Sequence, residues 1–135
     1  MSNQGIDFSN SNYNHHGTEL EIKTRLKPEL NQPVDGIILD ISGDLNLYST
    51  PALKQILSNL VDAGRNKIFV NVENLNYIDS SGLGAFLAIQ SKLMKMNGYI
   101  KLCCPTRQVL AVLELTKLKT MLKVNLNLAD ALKSS

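Results

Sequence analysis

The sequence predicts one α/β domain, a mixed β-sheet flanked by helices in the order β-β-α-β-α-β-α, with a short strand and helix after it. Three observations carry this. Short runs rich in branched and aromatic residues alternate with longer stretches of helical spacing. Turn-forming residues fall between them. The chain of 135 residues is 44% hydrophobic and 19% charged, enough apolar material for one real core.

The elements follow in order. Residues 1–17 are rich in Asn and Ser and poor in core-forming types, so a disordered tail is expected ahead of a domain over 18–135. His15 and His16 fall in that tail and have no third ligand beside them, which makes a poor metal site. Leu20, Ile22 and Leu26 alternate with Glu19, Glu21, Lys23 and Arg25, the pattern of a half-buried strand suited to a sheet edge. Turn residues over 28–36 lead to a more apolar strand, Ile37 to Ile41, which Ser42 and Gly43 should end. Thr50 is a candidate N-cap and Pro51 suits the first helical position. Leu53, Ile56, Leu57, Leu60 and Val61 then form one apolar stripe, and Gly64 fits just past the helix end. A third strand is expected over 67–72, a loop from Glu73 to Ile78, and a helix from Ser80 to Met96, broken by Asn97-Gly98. A fourth strand runs from Tyr99 to Cys104 and stops at Pro105. Thr106 caps a helix through Val109, Leu110, Val112 and Leu113; Leu122 and Val124 suggest a last short strand, and Leu128 to Leu132 a final helical turn or two. Alternation of strands and helices implies parallel pairs with right-handed crossovers.

Much chemistry is excluded. A net charge of +2 is too small to point to nucleic acid or an anionic membrane surface. There is no apolar run near spanning length, and no secretory leader or membrane insertion is expected. Cys103 and Cys104 are strand neighbours that should face opposite ways, one buried, so a disulfide between them is not expected; this usage suits a reducing, cytoplasmic setting. Both histidines precede the folded region, so Ser80 has no His base there for a Ser-His-Asp triad. The sequence has no Gly-x-Ser-x-Gly elbow or P-loop at this point, and Gly82-Leu83-Gly84 lacks dinucleotide spacing. Asp40, Asp44, Glu73 and Asp79 give no readable pair. The expectation is a protein that is not an enzyme, with no cofactor and no metal.

What stands out is Asp79-Ser80-Ser81-Gly82-Leu83-Gly84, where a strand gives way to a helix. Asp and Ser cap helix starts because their oxygens accept free backbone N–H groups. The same N–H groups and the positive dipole end favour negative charge, so a phosphate on Ser80 would be tolerated. Gly82 and Gly84 weaken helix propensity and leave this end open to another protein. From spacing alone the stretch reads first as a plain helix cap, and a regulatory site is the lesser alternative.

The run Asn76-Tyr77-Ile78-Asp79-Ser80-Ser81-Gly82-Leu83-Gly84 resembles the signature of STAS domains, specifically the bacterial anti-sigma factor antagonists. Ser42-Gly43-Asp44-Leu45-Asn46, with Thr50 and the helix over 51–63, is similar to that family's Gly-Glu-Leu-Asp segment and first helix. The resemblance covers about residues 18–133. It implies that Ser80 is the phosphorylated residue. It further implies that the unphosphorylated chain binds an anti-sigma factor serine kinase, freeing a sigma factor. Phosphorylation would switch binding off, and a metal-dependent serine phosphatase would restore it. The expected contact surface comprises Asn46, Leu47, Tyr48, Ser49, Thr50, Asp79, Ser81, Gly82, Leu83 and Gly84. The chain departs from the family pattern at Asn46, where an Asp is usual, which removes a negative charge near the serine. The alternative is a STAS scaffold or regulatory subunit of a stressosome-like or transporter complex without a sigma-factor role. Oligomeric state is left open.

Overall fold

Alternation along the central strands decides the layering. The computed structural model describes residues 14–30, 32–117 and 121–133. In β4 (Lys67–Ile78), Ile68, Val70, Val72, Leu75 and Ile78 join the main core, while Phe69 joins a smaller cluster. In β3 (Gly36–Leu45), Ile37, Leu39, Ile41 and Leu45 go to the main core and Ile38 to the smaller one. In β5 (Tyr99–Cys103), Ile100 and Leu102 go one way and Cys103 the other. Adjacent strand residues face opposite sides, so the middle of this sheet is buried on both faces.

Three helices supply the main core: α1 (Thr50–Asp62), α2 (Ser80–Met94) and α3 (Arg107–Leu115). Leu53, Leu57 and Leu60 of α1, Leu83, Phe86 and Leu93 of α2, and Val109 and Leu113 of α3 are all buried there. Each such side chain contributes about 1.5–3 kcal/mol by leaving water. The smaller cluster is closed by α4 (Leu128–Lys133), whose Ala131 and Leu132 meet Ile38, Phe69 and Cys103. The buried Lys101 ammonium donates to the Ala131 carbonyl at 3.0 Å and lies 4.9 Å from the Tyr99 ring centre. A cation on the last carbonyls of a helix complements its dipole, so Lys101 ties α4 to the sheet. Beyond α4 the same sheet face turns polar. There Arg25 grips Asp40 through two N–H donors, and Asn71 Nδ2 donates to Asp40 Oδ1 at 2.9 Å and to Glu73 Oε1 at 3.0 Å.

The sheet order is β1-β2-β3-β4-β5-β6, with β1 (His15–His16), β2 (Leu20–Arg25) and β6 (Lys123–Asn125) completing it. β1–β2 and β2–β3 are antiparallel; the remaining neighbours are parallel. The mixed α/β architecture and the helix–strand alternation therefore match the sequence reading.

The structure corrects several boundaries. Residues 1–13 of the expected tail lie outside the described residues, but His15 and His16 pair with Ile22 and Glu21. β1, not the Leu20–Arg25 strand, is thus the edge, and the His16 ring bonds Glu21 at 2.8 Å. Ser42 and Gly43 do not end β3. The strand passes through them with register shifts to reach Leu45. Gly43 has φ +106°, and a Cβ there would sit 2.2 Å from the Glu19 carbonyl oxygen, so a bulge built on glycine carries the strand on. Nor is 73–78 a loop. Asn74, Leu75, Tyr77 and Ile78 pair with β3, and the polar residues interspersed there are exposed. The N-cap of α1 is Ser49, with Thr50 already helical, although Pro51 sits in the first turn as expected. α2 ends at Met94, two residues early, and Asn97 takes φ +59°. Cys104 lies just outside β5, also at φ +59°, half-buried beside the buried Cys103. Gly64 (φ +86°) and the Thr106 cap, which accepts from Val109 N–H at 3.1 Å, are as expected.

Candidate functional site

Parallel pairing of β3 with β4 brings the β3–α1 and β4–α2 connections to one end of the sheet. Leu45 faces Ile78, and the Asp79 N–H donates to the Leu45 carbonyl at 3.2 Å. Asp79 is the N-cap of α2. Its extended backbone (φ −117°, ψ −173°) aims Oδ1 at the free N–H groups of Ser81 (2.9 Å) and Gly82 (3.3 Å). The Ser81 hydroxyl also donates to Asp79 Oδ1. Burial pushes the Asp79 carboxyl up. The Ser81 hydroxyl and the N–H groups of Gly82, Ser81 and Leu47 outweigh that and hold it below the ordinary carboxylate value.

The two motif serines are therefore unlike. Ser81 is drawn inward, and its hydroxyl lies 3.2 Å from the Thr50 hydroxyl at the start of α1. Thr50 in turn donates to the Asn46 carbonyl at 2.7 Å. Ser80, the first residue of α2, is exposed, and among the described residues no hydrogen bond holds its hydroxyl. The glycines also divide. Gly82 is buried against Leu45, and Gly84 is exposed with nothing within 4 Å of where a Cβ would stand.

The loop before α1 forms the other half. Asn46 Oδ1 accepts from the N–H groups of Tyr48 (2.9 Å) and Ser49 (3.1 Å), closing a tight turn. The Ser49 hydroxyl accepts from the Asn46 N–H at 2.9 Å and donates to the Asp44 carbonyl at 2.7 Å. This bonding lifts Leu47 and Tyr48 outward, 67% and 81% exposed. Tyr77, paired with Asp44 near the end of β4, is half-exposed.

Of the sequence-predicted residues, Ser80, Gly84, Leu47 and Tyr48 present surface, and Asn46, Asp79 and Ser81 are partly accessible. Ser49, Thr50, Gly82 and Leu83 are buried and hold the others in place. The sequence reading missed Glu19, whose carboxylate accepts from Asn46 Nδ2 at 2.6 Å. No local pattern could have found it, since the two residues stand 27 apart in sequence. Among the described residues there is no group of three or more His, Cys, Asp or Glu able to hold a metal ion. No described helix is long and apolar enough to cross a membrane.

Comparison with known proteins meets this geometry. The STAS domain family model matches residues 27–131. The anti-sigma-B factor antagonist of Staphylococcus aureus is 31% identical over 85 residues, covering 63% of this chain and 79% of that protein. The Staphylococcus epidermidis protein of the same name is 27% identical over the same span. Among solved structures, an anti-sigma factor antagonist from Mycobacterium paratuberculosis superposes with a TM-score of 0.70 at 21% identity, covering 84% of this chain and 92% of that one. SpoIIAA, the Bacillus cell fate determinant, superposes in its phosphorylated form with a TM-score of 0.58 at 19% identity, over 76% of this chain and 89% of that one. Its unphosphorylated form gives 0.64 over 76% and 86%. The structural likenesses carry the fold; the family match and the staphylococcal relatives carry the kinship. The chain belongs to the STAS-domain family of anti-sigma factor antagonists.

Proposed function

We propose that this chain is a partner-switching regulator. Unphosphorylated, it binds an anti-sigma factor serine kinase and releases the sigma factor; phosphorylation of Ser80 ends binding, and a metal-dependent serine phosphatase restores it. The observation that carries this reading is the contrast between the serines: Ser80 is exposed and unengaged, while Ser81 is locked between Asp79 and Thr50. A kinase needs a free hydroxyl, and only one of the two offers it. The existence of SpoIIAA in phosphorylated and unphosphorylated forms supports a switch of this type.

The physical effect of the phosphate is local. It adds about −1.5 to −2 charges at pH 7. The α2 N-terminus stabilises it by about 0.3–1 kcal/mol, while the Asp79 carboxylate repels it. The fold survives, and the rim carrying Leu47 and Tyr48 gains a dianion as neighbour. Leu47, Tyr48, Gly84 and the accessible parts of Asn46, Asp79 and Ser81 form the contact surface, with Ser49, Thr50, Gly82 and Leu83 beneath it. The chemistry of the site is recognition: it offers a substrate hydroxyl to another enzyme and needs no cofactor of its own.

Two measurements test this. Intact-mass analysis of protein from its native cell, with and without phosphatase, should find one phosphate mapping to residue 80 and not to 81. Ser80→Ala should remain folded and bind the anti-sigma factor constitutively, whereas Ser80→Asp should bind poorly. Equal affinity of the two variants defeats the switch. Recovery in a large multimer or membrane complex without an anti-sigma factor would favour a scaffold subunit instead.

A further inference from the structure

The Leu47–Tyr48 rim owes its shape to one amide. Asn46 Oδ1 takes the Tyr48 and Ser49 N–H groups, and Nδ2 donates to Glu19 Oε1 at 2.6 Å. The two N–H donors of the turn call for the amide oxygen, and an acceptor outside the turn that engages Nδ2 adds to that choice and holds the amide plane in place. Glu19 is that acceptor. It enters from the start of β2, and its backbone is bound to the same region. The Asp44 N–H donates to the Glu19 carbonyl at 2.7 Å, and the Gly43 bulge passes directly over that oxygen. One residue from outside the motif thus grips the loop through both side chain and backbone.

We propose that Glu19 is a positioning residue of the docking loop, orienting the Asn46 amide and through it presenting Leu47 and Tyr48 to the partner. The inference rests on the function proposed above. It also fixes the chemistry required at residue 46. With Glu19 in place, a carboxylate at 46 would set two like charges at hydrogen-bond distance, so the amide is the compatible side chain. Exchanging the groups should restore the pair: in the double variant Asn46→Asp with Glu19→Gln, the glutamine amide donates to the aspartate.

The test uses the full chain, with amide hydrogen exchange read at Tyr48 and Ser49 and affinity measured for the recombinant anti-sigma factor of the host cell. Glu19→Ala keeps the backbone bonds and should speed exchange at Tyr48 and weaken affinity about fivefold. Asn46→Asp should do so about tenfold, and the double variant should return both readouts to within about twofold of wild type. Global melting should hardly move, because the pair is exposed. Unchanged exchange in Glu19→Ala, or a double variant no better than Asn46→Asp, overturns the inference. Exchange that follows this order while affinity stays constant makes Glu19 a tether without a docking role, and also overturns it. No binding by the wild-type chain defeats the proposed function, and this inference with it.

Discussion

Two glycines two residues apart in one helix should respond to the same substitution with opposite signs. At Gly82 an added Cβ would stand 2.7 Å from both Cγ and Cδ2 of Leu45 and 3.1 Å from Cγ1 of Ile78. Ordinary carbon contacts lie at about 3.5–4.0 Å. Leu45 is fully buried and the nearer atoms include its branch point, so it cannot swing aside cheaply. Overpacking of this kind costs about 1–3 kcal/mol, against which alanine returns at most about 1 kcal/mol of helix propensity. At Gly84 nothing lies within 4 Å, so only the propensity gain remains, about 0.5–1 kcal/mol. The propensity gain is common to both, so the two variants should differ by the overpacking cost, about 1–3 kcal/mol, roughly 4–12 °C in Tm for a chain of this length. Paired thermal and urea melts of Gly82→Ala and Gly84→Ala decide it. A Gly82→Ala protein as stable as wild type, or a Gly84→Ala protein less stable, would refute the claim that Gly82 exists to let α2 close on β3. Gly84→Ala carries a second expectation: a stabler chain that binds its partner less well, since the added methyl lies on the proposed contact surface.

Removing the cap by Asp79→Ala should cost about 1–2 kcal/mol near neutral pH, measured by urea denaturation. Because the folded carboxyl titrates below its unfolded value of about 3.9, the stabilisation is complete above that value and fades as pH falls through the folded one. Wild type and Asp79→Ala should therefore converge in acid; a constant gap would mean the cap does not depend on charge. Cys103 is buried and its thiol is pushed up to about 12, first by burial, so a disulfide-exchange reagent at pH 8 should reach it only on unfolding. The same shift gives a sign in base. The unfolded thiol ionises near 9 while the folded one stays protonated, so stability should decline as pH rises above about 9, and Cys103→Ala should flatten that decline. Prompt labelling of Cys103 in the native state would show that α4 leaves the sheet readily.

Elements with a strong period were legible. The α1 stripe, the Thr106 cap and the Gly64 terminus stand where the sequence put them, because local chemistry alone decides each. The misread places are those where tertiary pairing overrides local signals. Gly43 looks like a stop and is a bulge; Glu73, Asn74 and Asn76 look like a loop, yet β3 holds them in a strand. His15 and His16 look like tail residues and are held by backbone pairing to β2, which composition does not record. At the candidate site, the motif marked the start of α2, but the sequence did not separate Ser80 from Ser81 on physical grounds. That needed the fold, which turns the Ser81 hydroxyl inward to donate to Asp79 and sets it 3.2 Å from Thr50, 31 residues earlier in the sequence. Glu19 was invisible for the same reason.

The mixed sheet also divides the molecule for the experimenter. Parallel β3 and β4 deliver their outgoing loops to one pole, and antiparallel β2 starts there too, since Leu20 lies opposite Gly43. The turns at Gly64 and at Asn97-Gly98 belong to the other pole, where the Tyr99 N–H meets the Asn66 carbonyl. A fluorophore, tag or inserted peptide at Asn97-Gly98 should leave partner recognition untouched, whereas one joined just ahead of Thr18 would crowd the Tyr48 rim.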